Sequence, residues 1–313
     1  MQRKITGGLS MHGEIRFRYL YEAARLGTMR AASEKLNVAT SSISRQIAAL
    51  EKELGMRLIE GGRRKIKLTE AGNAAFAYYR EMRAHEEVFL SRVEELRSLR
   101  SGTINLAVGE AFISDAFSEV LQSFMRKYPG LTVRVKMSGT NNAIELVRED
   151  EAHFGLIFDV PRDPKVRARL TLSQPLKAIV HPKHELAGRK SVKLSELGQH
   201  SIGLPEDSFR LRQIVREAEH VDGVFLQPGL IANSMMLLKD FAKCGRGLTF
   251  LPEFLAQPHL SEGKLIAIPV DNPVMSSTRI SLITRTGRQL PTGVYRLMLR
   301  IEAHLKSLIA PSA

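Results

Sequence analysis

The apolar positions change rhythm near residue 102. Before it they recur at helical spacing; after it short β-prone runs alternate with amphipathic segments. In VATSSISRQIAALEKEL, Ile43, Ile47, Leu50 and Leu54 share one helical face, while Ser41, Arg45 and Lys52 point away and Ser44 sits on the shoulder. The spacing predicts a helix from Thr40 or Ser41 to Leu54, stopped by Gly55. A helix over 15–26 precedes it, ending at Gly27. Between them, MRAASEKL reads as a short helix with Thr28 as its N-cap and small Ala31 and Ala32 at a close crossing. A short helix, a tight turn at Asn37-Val38-Ala39 and a second helix with short polar and Arg side chains outward read as helix-turn-helix.

Two β-prone runs, 57–59 and 66–68, then flank Gly61-Gly62 and Arg63-Arg64-Lys65, a hairpin wing with a basic tip. From Glu70 to about Leu99 a proline-free helix repeats Ala75, Met82, Phe89 and Leu96 every seven residues, with Tyr79 and Val93 as companions. This is the pattern of a dimer helix, or of an amphipathic helix packed on its own domain. Arg100-Ser101-Gly102 reads as a hinge.

Beyond it, TINLAVG is a strand, AFISDAFSEVLQSFMRKYPG a helix, LTVRVKMSG a strand, TNNAIELVRED a helix and HFGLIFD a strand. That order implies a parallel sheet with right-handed crossovers. A second block has strands in LKAIVH, HSIGLP, GVFLQPGLI, GLTFLP and LIAIPV, with helices near FRLRQIVREAEH and SMMLLKDFAKC. The strand TRISLIT and the helix LPTGVYRLMLRIEAHLKSL end the chain. The division expected is a polar extension 1–13, a winged helix-turn-helix 14–69, a linker helix 70–101 and a two-lobed region 102–313. Its first lobe takes 102–175 and 277–313, its second 176–276. The fold class is therefore an α+β multidomain chain, with two crossings making the lobes a hinged clamp.

Composition narrows the function. The 313 residues carry a net charge of +13, which beside a helix-turn-helix favours a polyphosphate partner. No run of about 18 apolar residues predicts a membrane helix, and the first residues lack a signal-peptide core. One cysteine, Cys244, excludes an internal disulfide framework and fits a reducing cytoplasm. No nucleotide-loop, nucleophile-elbow or zinc-protease motif occurs. His181, His184 and Glu185 lack further ligands for a metal site, so no metal or cofactor is expected and the chain does not read as an enzyme.

Arg45 is the candidate base reader, because a guanidinium can bond guanine O6 and N7 together; the alternative is a phosphate contact or an ion pair. Thr40, Ser41, Ser42 and Ser44 face DNA with it. Arg63, Arg64 and Lys65 suit phosphate or the minor groove, against a solvated basic turn. Gln46 orients neighbours or meets backbone. A clamp binds its ligand at the carboxyl ends of parallel strands, between lobes. Candidates there are Gly109, Glu110, Ala111 and Phe112, then Ser138, Gly139, Thr140 and Asn141, then Leu204, Pro205 and Glu206, Asn233 and Ser234, and Gly247 and Thr249. Ser138–Asn141 opens a helix, whose free amides favour an anion such as a carboxylate metabolite. Equally, Ser138 and Thr140 can simply cap that helix, and Glu110 argues for an amine-bearing or neutral effector.

Together AAxxLxV at 31–38, SISRQIAALEKELGMRLIE and RRKIKLTEAG resemble the LysR-type transcriptional regulators, and the resemblance extends over essentially the whole chain. It implies a winged helix, a linker helix and a two-lobed effector domain like the periplasmic binding proteins. It further implies double-stranded promoter DNA, a small-molecule effector, a homodimer or homotetramer and RNA polymerase as partners. Thr40 and Ser41 stand where the family commonly has glutamine and proline, so its operator preference does not transfer. Arg30 stands where a serine or threonine usually approaches phosphate, and can do so itself. A solute-binding protein or an enzyme on the clamp fold would leave the helix-turn-helix unexplained. A nucleoid-like binder would leave the clamp idle.

Overall fold

The computed structural model describes residues 11–60, 65–96, 102–159 and 163–308. It divides into two compact units, meeting in sequence at Leu90 and Ser91.

The first unit is helical. α1 (Met11–Leu26), α2 (Met29–Leu36) and α3 (Thr40–Leu54) pack around Phe17, Leu20, Ala32, Ile43, Ile47 and Leu50, the apolar face read from the sequence. Thr28 caps α2, its hydroxyl accepting from the Ala31 amide at 3.1 Å. Asn37 and Gly55 end α2 and α3 in the left-handed conformation. α1 starts earlier than its apolar pattern, at Met11.

The wing is slighter than expected: among the described residues its two strands reduce to one antiparallel bridge, Ile59 with Leu68. Contacts from outside the wing also fix it. The Glu51 carboxylate accepts the amides of Leu58 (2.8 Å) and Ile59 (3.3 Å), and the Ile66 amide donates to Gly27 O (2.8 Å).

α4 (Glu70–Leu96) begins where Thr69 Oγ1 accepts the Gly72 amide at 3.0 Å. A Cβ on Gly72 would lie 2.0 Å from Leu58 O, so the helix can approach the wing only with glycine there. The heptad stripe meets two surroundings. Ala75 and Tyr79 are buried in the unit's own core, Tyr79 and Phe76 against Tyr21, leaving Phe89 of that stripe 64% exposed.

The second unit contains two mixed five-stranded sheets. The first has the order β2-β1-β3-β10-β4, from β1 (Gly102–Val108), β2 (Leu131–Met137), β3 (Phe154–Phe158), β4 (Val166–Ser173) and β10 (Arg279–Arg285). β1 pairs parallel with β2 and β3, whereas β10 runs antiparallel to β3 and β4, so the parallel sheet expected covers only part of the lobe. α5 (Asp115–Lys127), α6 (Thr140–Arg148) and, at the chain's end, α12 (Thr292–Ser307) pack on it. Instead of one long helix, a 3-10 turn (Glu110–Phe112) precedes α5, because the Ser114 hydroxyl caps the Phe117 amide at 3.2 Å and restarts the helix.

The second sheet has the order β7-β6-β8-β5-β9. Its strands are β5 (Leu176–Val180), β6 (Ile202–Pro205), β7 (Pro228–Ala232), β8 (Leu248–Pro252) and β9 (Ile266–Pro269). Between them lie α7 (Leu194–Leu197), α8 (Arg210–Asp222), α9 (Met235–Lys243) and α10 (Glu253–Ser261), and α11 (Pro273–Ser276) follows the last of them. The strand read in GVFLQPGLI is shorter, since Gly223 is the left-handed cap of α8 and β7 begins only at Pro228. The two crossings between sheets lie side by side: the Gln174 amide donates to Thr278 O at 2.8 Å. Two adjacent connecting segments of this kind are the arrangement that a hinge between sheets uses.

Candidate functional site

On α3, buried Ile43, Ile47 and Leu50 turn Thr40, Ser41, Ser44 and Arg45 outward, all exposed, with Ser42 half-buried. Thr40 Oγ1 donates to Ser33 Oγ (3.0 Å), which donates to Arg30 O (2.9 Å), so the turn between α2 and α3 is braced by hydroxyls. Arg16 of α1 donates to Gln46 (3.2 Å) and pairs with Glu53 (2.7 Å); Gln46 therefore orients α3 on α1. Arg30 is paired with Glu34 at 3.0 Å. Arg45 makes only a 3.4 Å contact to Ser41 O and has no ion pair among the described residues, so its guanidinium is available. Lys65 is exposed; Arg63 and Arg64 lie outside the described residues.

The second unit holds a cavity of about 240 Å³ at the carboxyl ends of β1, β2 and β3, facing the starts of α8 and α9. Of the residues expected there, Gly109, Glu110, Ala111, Ser138, Gly139, Thr140 and Asn233 line it. The others do not. Phe112 is buried behind the 3-10 turn, and Asn141 faces outward on α6. Leu204 and Pro205 are buried within β6. Gly247 and Thr249 are corrected most clearly: they lie at the amino end of β8, the wrong end. Gly247 packs on the Ser201 backbone, and buried Thr249 donates to Gly203 O at 2.8 Å.

Three helix N-termini converge on the cavity: α6 after Gly139, α8 after Phe209 and α9 after Ser234. None is capped by its own N-cap side chain, so neither Ser138 nor Thr140 serves as the N-cap of α6. Thr140 Oγ1 instead donates to Phe158 O (3.3 Å), and Ser138 Oγ accepts from Asn142 (3.2 Å). The α9 end is satisfied from the other lobe, where Glu110 Oε1 accepts the Met235 amide (3.0 Å) and the Ser234 hydroxyl (3.2 Å). The α6 and α8 ends remain as partial positive charges.

Arg210, at the first position of α8, also lines the cavity and reaches Asp159 after β3 at 3.3 Å and Glu217 at 2.6 Å. Burial works against its charge, but the bonds to Glu217 and Asp159 outweigh it and hold its pKa above the ordinary value. Asp159 sits at φ 57, a left-handed conformation unusual for a non-glycine residue. Two polar links, Glu110 to α9 and Asp159 to Arg210, thus bridge the lobes across the cavity.

Sequence reasoning missed Arg210, Met137, Phe158, Phe209 and Met235. Arg210 left a signal: a cation at a helix N-terminus opposes the dipole and calls for a partner or a ligand. Among the described residues no group of three potential metal ligands converges, and no helix is long and apolar enough to cross a membrane.

Residues 16–73 match the bacterial regulatory helix-turn-helix model of the lysR family, and residues 97–306 match the LysR substrate binding domain. The chain belongs to the LysR family. It is therefore a transcriptional regulator with a DNA-binding helix-turn-helix and an effector-binding domain, and the family is not enzymatic. Among LysR relatives it is 24% identical over 300 residues to the RuBisCO operon transcriptional regulator of Allochromatium vinosum, covering 94% of this chain and 97% of that one. An OxyR mutant from Corynebacterium glutamicum shares the fold with TM-score 0.57 at 19% identity, over 95% of this chain and 93% of that one. Full-length CbnR complexed with its target DNA shares it with TM-score 0.51 at 20% identity, over 93% and 99%.

Proposed function

We propose that this LysR regulator reads promoter DNA with the Thr40, Ser41, Ser42, Ser44 and Arg45 face of α3, and that a small carboxylate in the interlobe cavity controls it. The carrying observation is the cavity itself: two open helix N-termini and Arg210 face a site bounded by two lobes on a hinge. Ser138, Gly139, Thr140, Asn233 and Arg210 are the residues that receive the carboxylate. Closure shifts the regulator only so far as the effector prefers one interlobe angle.

On DNA, Arg45 reads a base edge, and Arg30 with the wing residues Arg63, Arg64 and Lys65 holds phosphates. The capture of CbnR on its target DNA supports this reading. The working division is a reader at 14–69, a linker at 70–101 and the clamp at 102–313, with lobes divided near 175 and 277. A homodimer or homotetramer in the cytoplasm, presenting paired readers to RNA polymerase promoters, fits this division. Exposed apolar side chains on or beside the edge strands β2 and β7 support assembly: Val135, Met137, Phe225 and Ile231 are 37, 63, 75 and 60% exposed.

The test is a thermal-shift screen of the full chain against small mono- and dicarboxylates, with Arg210→Ala alongside. A binder should raise the melting temperature with the logarithm of its concentration above the dissociation constant, and that rise should shrink in Arg210→Ala. A binder whose effect survives Arg210→Ala unchanged removes the proposed anchor. A panel producing only amine or neutral binders overturns the carboxylate assignment.

A further inference from the structure

Thr40 opens α3 and is exposed, and the first residues of a reading helix are those that meet base edges in the major groove. What Thr40 can present there is limited by the chain of hydroxyl bonds at the turn between α2 and α3. The direction of that chain is forced. The Arg30 carbonyl has no proton to give, so the Ser33 hydroxyl donates to it at 2.9 Å. A hydroxyl has one proton, so Ser33 Oγ can only accept from its other neighbour. The Thr40 hydroxyl therefore donates to Ser33, at 3.0 Å, and keeps no proton for DNA.

That state removes whole classes of base contact. In the major groove guanine offers only acceptors, N7 and O6, and thymine O4 is an acceptor too. A hydroxyl whose proton is already engaged bonds none of them. The amino groups of adenine and cytosine can donate, but the bond to Ser33 turns Thr40 Oγ1 towards α2.

The group of Thr40 that the fold leaves uncommitted is its Cγ2 methyl. The natural partner of a methyl in the major groove is the C5 methyl of thymine. On the proposed reading face Thr40 alone carries a methyl: Ser41, Ser42 and Ser44 present hydroxyls and Arg45 a guanidinium.

We propose that Thr40 is a specificity-determining residue that selects thymine by packing its methyl on the thymine C5 methyl, a role that rests on α3 being the reading helix. Its hydroxyl serves the turn between α2 and α3 instead of the DNA.

The full-length protein first selects its preferred duplex from a randomised pool. Each thymine of that duplex is then replaced in turn by deoxyuridine, which lacks only the C5 methyl, and affinity is read by fluorescence anisotropy. At least one replacement should weaken binding about two- to fivefold, the worth of one buried methyl. Thr40→Ser, which keeps the hydroxyl and loses the methyl, should bind the unmodified duplex more weakly by a similar factor. With deoxyuridine at the sensitive position it should show no further loss. Thr40→Val, which keeps the methyl and loses the hydroxyl, should retain the full deoxyuridine effect. Each variant is first matched to the parent by its melting temperature. A preferred duplex in which no deoxyuridine weakens binding overturns the role of Thr40 and leaves α3 as the reader. So does a deoxyuridine effect that persists in Thr40→Ser, or one that Thr40→Val abolishes. A pool that yields no preferred sequence overturns the α3 reading itself, and the role of Thr40 with it.

Discussion

Replacing Glu110 by alanine should loosen the regulatory unit at one identifiable place. The Glu110 carboxylate leaves lobe one and takes the amide of Met235 and the hydroxyl of Ser234, at 3.0 and 3.2 Å. It thereby caps α9 from outside, where the helix has no cap of its own. A hydrogen bond to a charged group contributes about 1.5–3 kcal/mol, and the helix end adds some tenths more. Glu110 is only half-buried and water replaces part of what is lost, so a net cost of about 1–2 kcal/mol is expected. That corresponds to a five- to thirtyfold change in the opening equilibrium. Native-state hydrogen exchange reads it directly: amides at the start of α9 should lose protection by that factor, while those of β8 keep theirs. Glu110→Gln, which retains an acceptor without the charge, should fall between. Unchanged protection at Met235 in Glu110→Ala would refute the latch. Equal loss across the whole unit would mean that Glu110 supports the fold rather than the interlobe contact.

Gly72→Ala places a methyl 2.0 Å from Leu58 O and should destabilise the DNA-binding unit by about 1–3 kcal/mol in denaturant melts, with the clamp unaffected. His184 and His304 both have pKa values lowered by burial from 6.5. Their contribution to stability is therefore present above pH 6.5 and lost as the pH falls through their folded values. Unfolding measured between pH 7.5 and 5 should show that decline, flattened in a His184→Asn, His304→Asn double variant. Arg45→Lys should relax base preference while leaving the salt dependence nearly intact, because lysine keeps the charge and loses the fork; unchanged preference in a randomised-operator selection would remove Arg45 as a reader.

Much of the fold is legible where one rule acts alone. The α3 face follows from four apolar residues at helical spacing, and capping chemistry marks the start of α2 at Thr28 and the end of α3 at Gly55. The edge strand β4 was missed although Val166, Ala168, Leu170 and Leu172 alternate, because exposed arginines between them resemble a loop. α10 was hidden by Pro258 within it. The heptads of α4 leave both of their readings open: one periodicity serves both an intramolecular core, at Ala75 and Tyr79, and an exposed face at Phe89. At the interlobe cavity, the rule about strand ends brings together the expected lobe-one residues Gly109, Glu110, Ala111, Ser138, Gly139 and Thr140. It failed at Gly247 and Thr249, where a strand's beginning was taken for its end. Arg210 and the outside cap supplied by Glu110 depend on contacts between residues 51 and more than 120 positions apart, which no local pattern encodes.

The most direct test of the central claim is competition on DNA. The full-length protein is titrated into a labelled duplex of its own upstream region and into a scrambled duplex of equal composition, at several salt concentrations. The account predicts tighter binding to the upstream duplex by about a thousandfold or more near physiological salt. Both affinities should decline as salt rises, since phosphate contacts are common to the two. Equal affinity for the two duplexes at every salt concentration would contradict it.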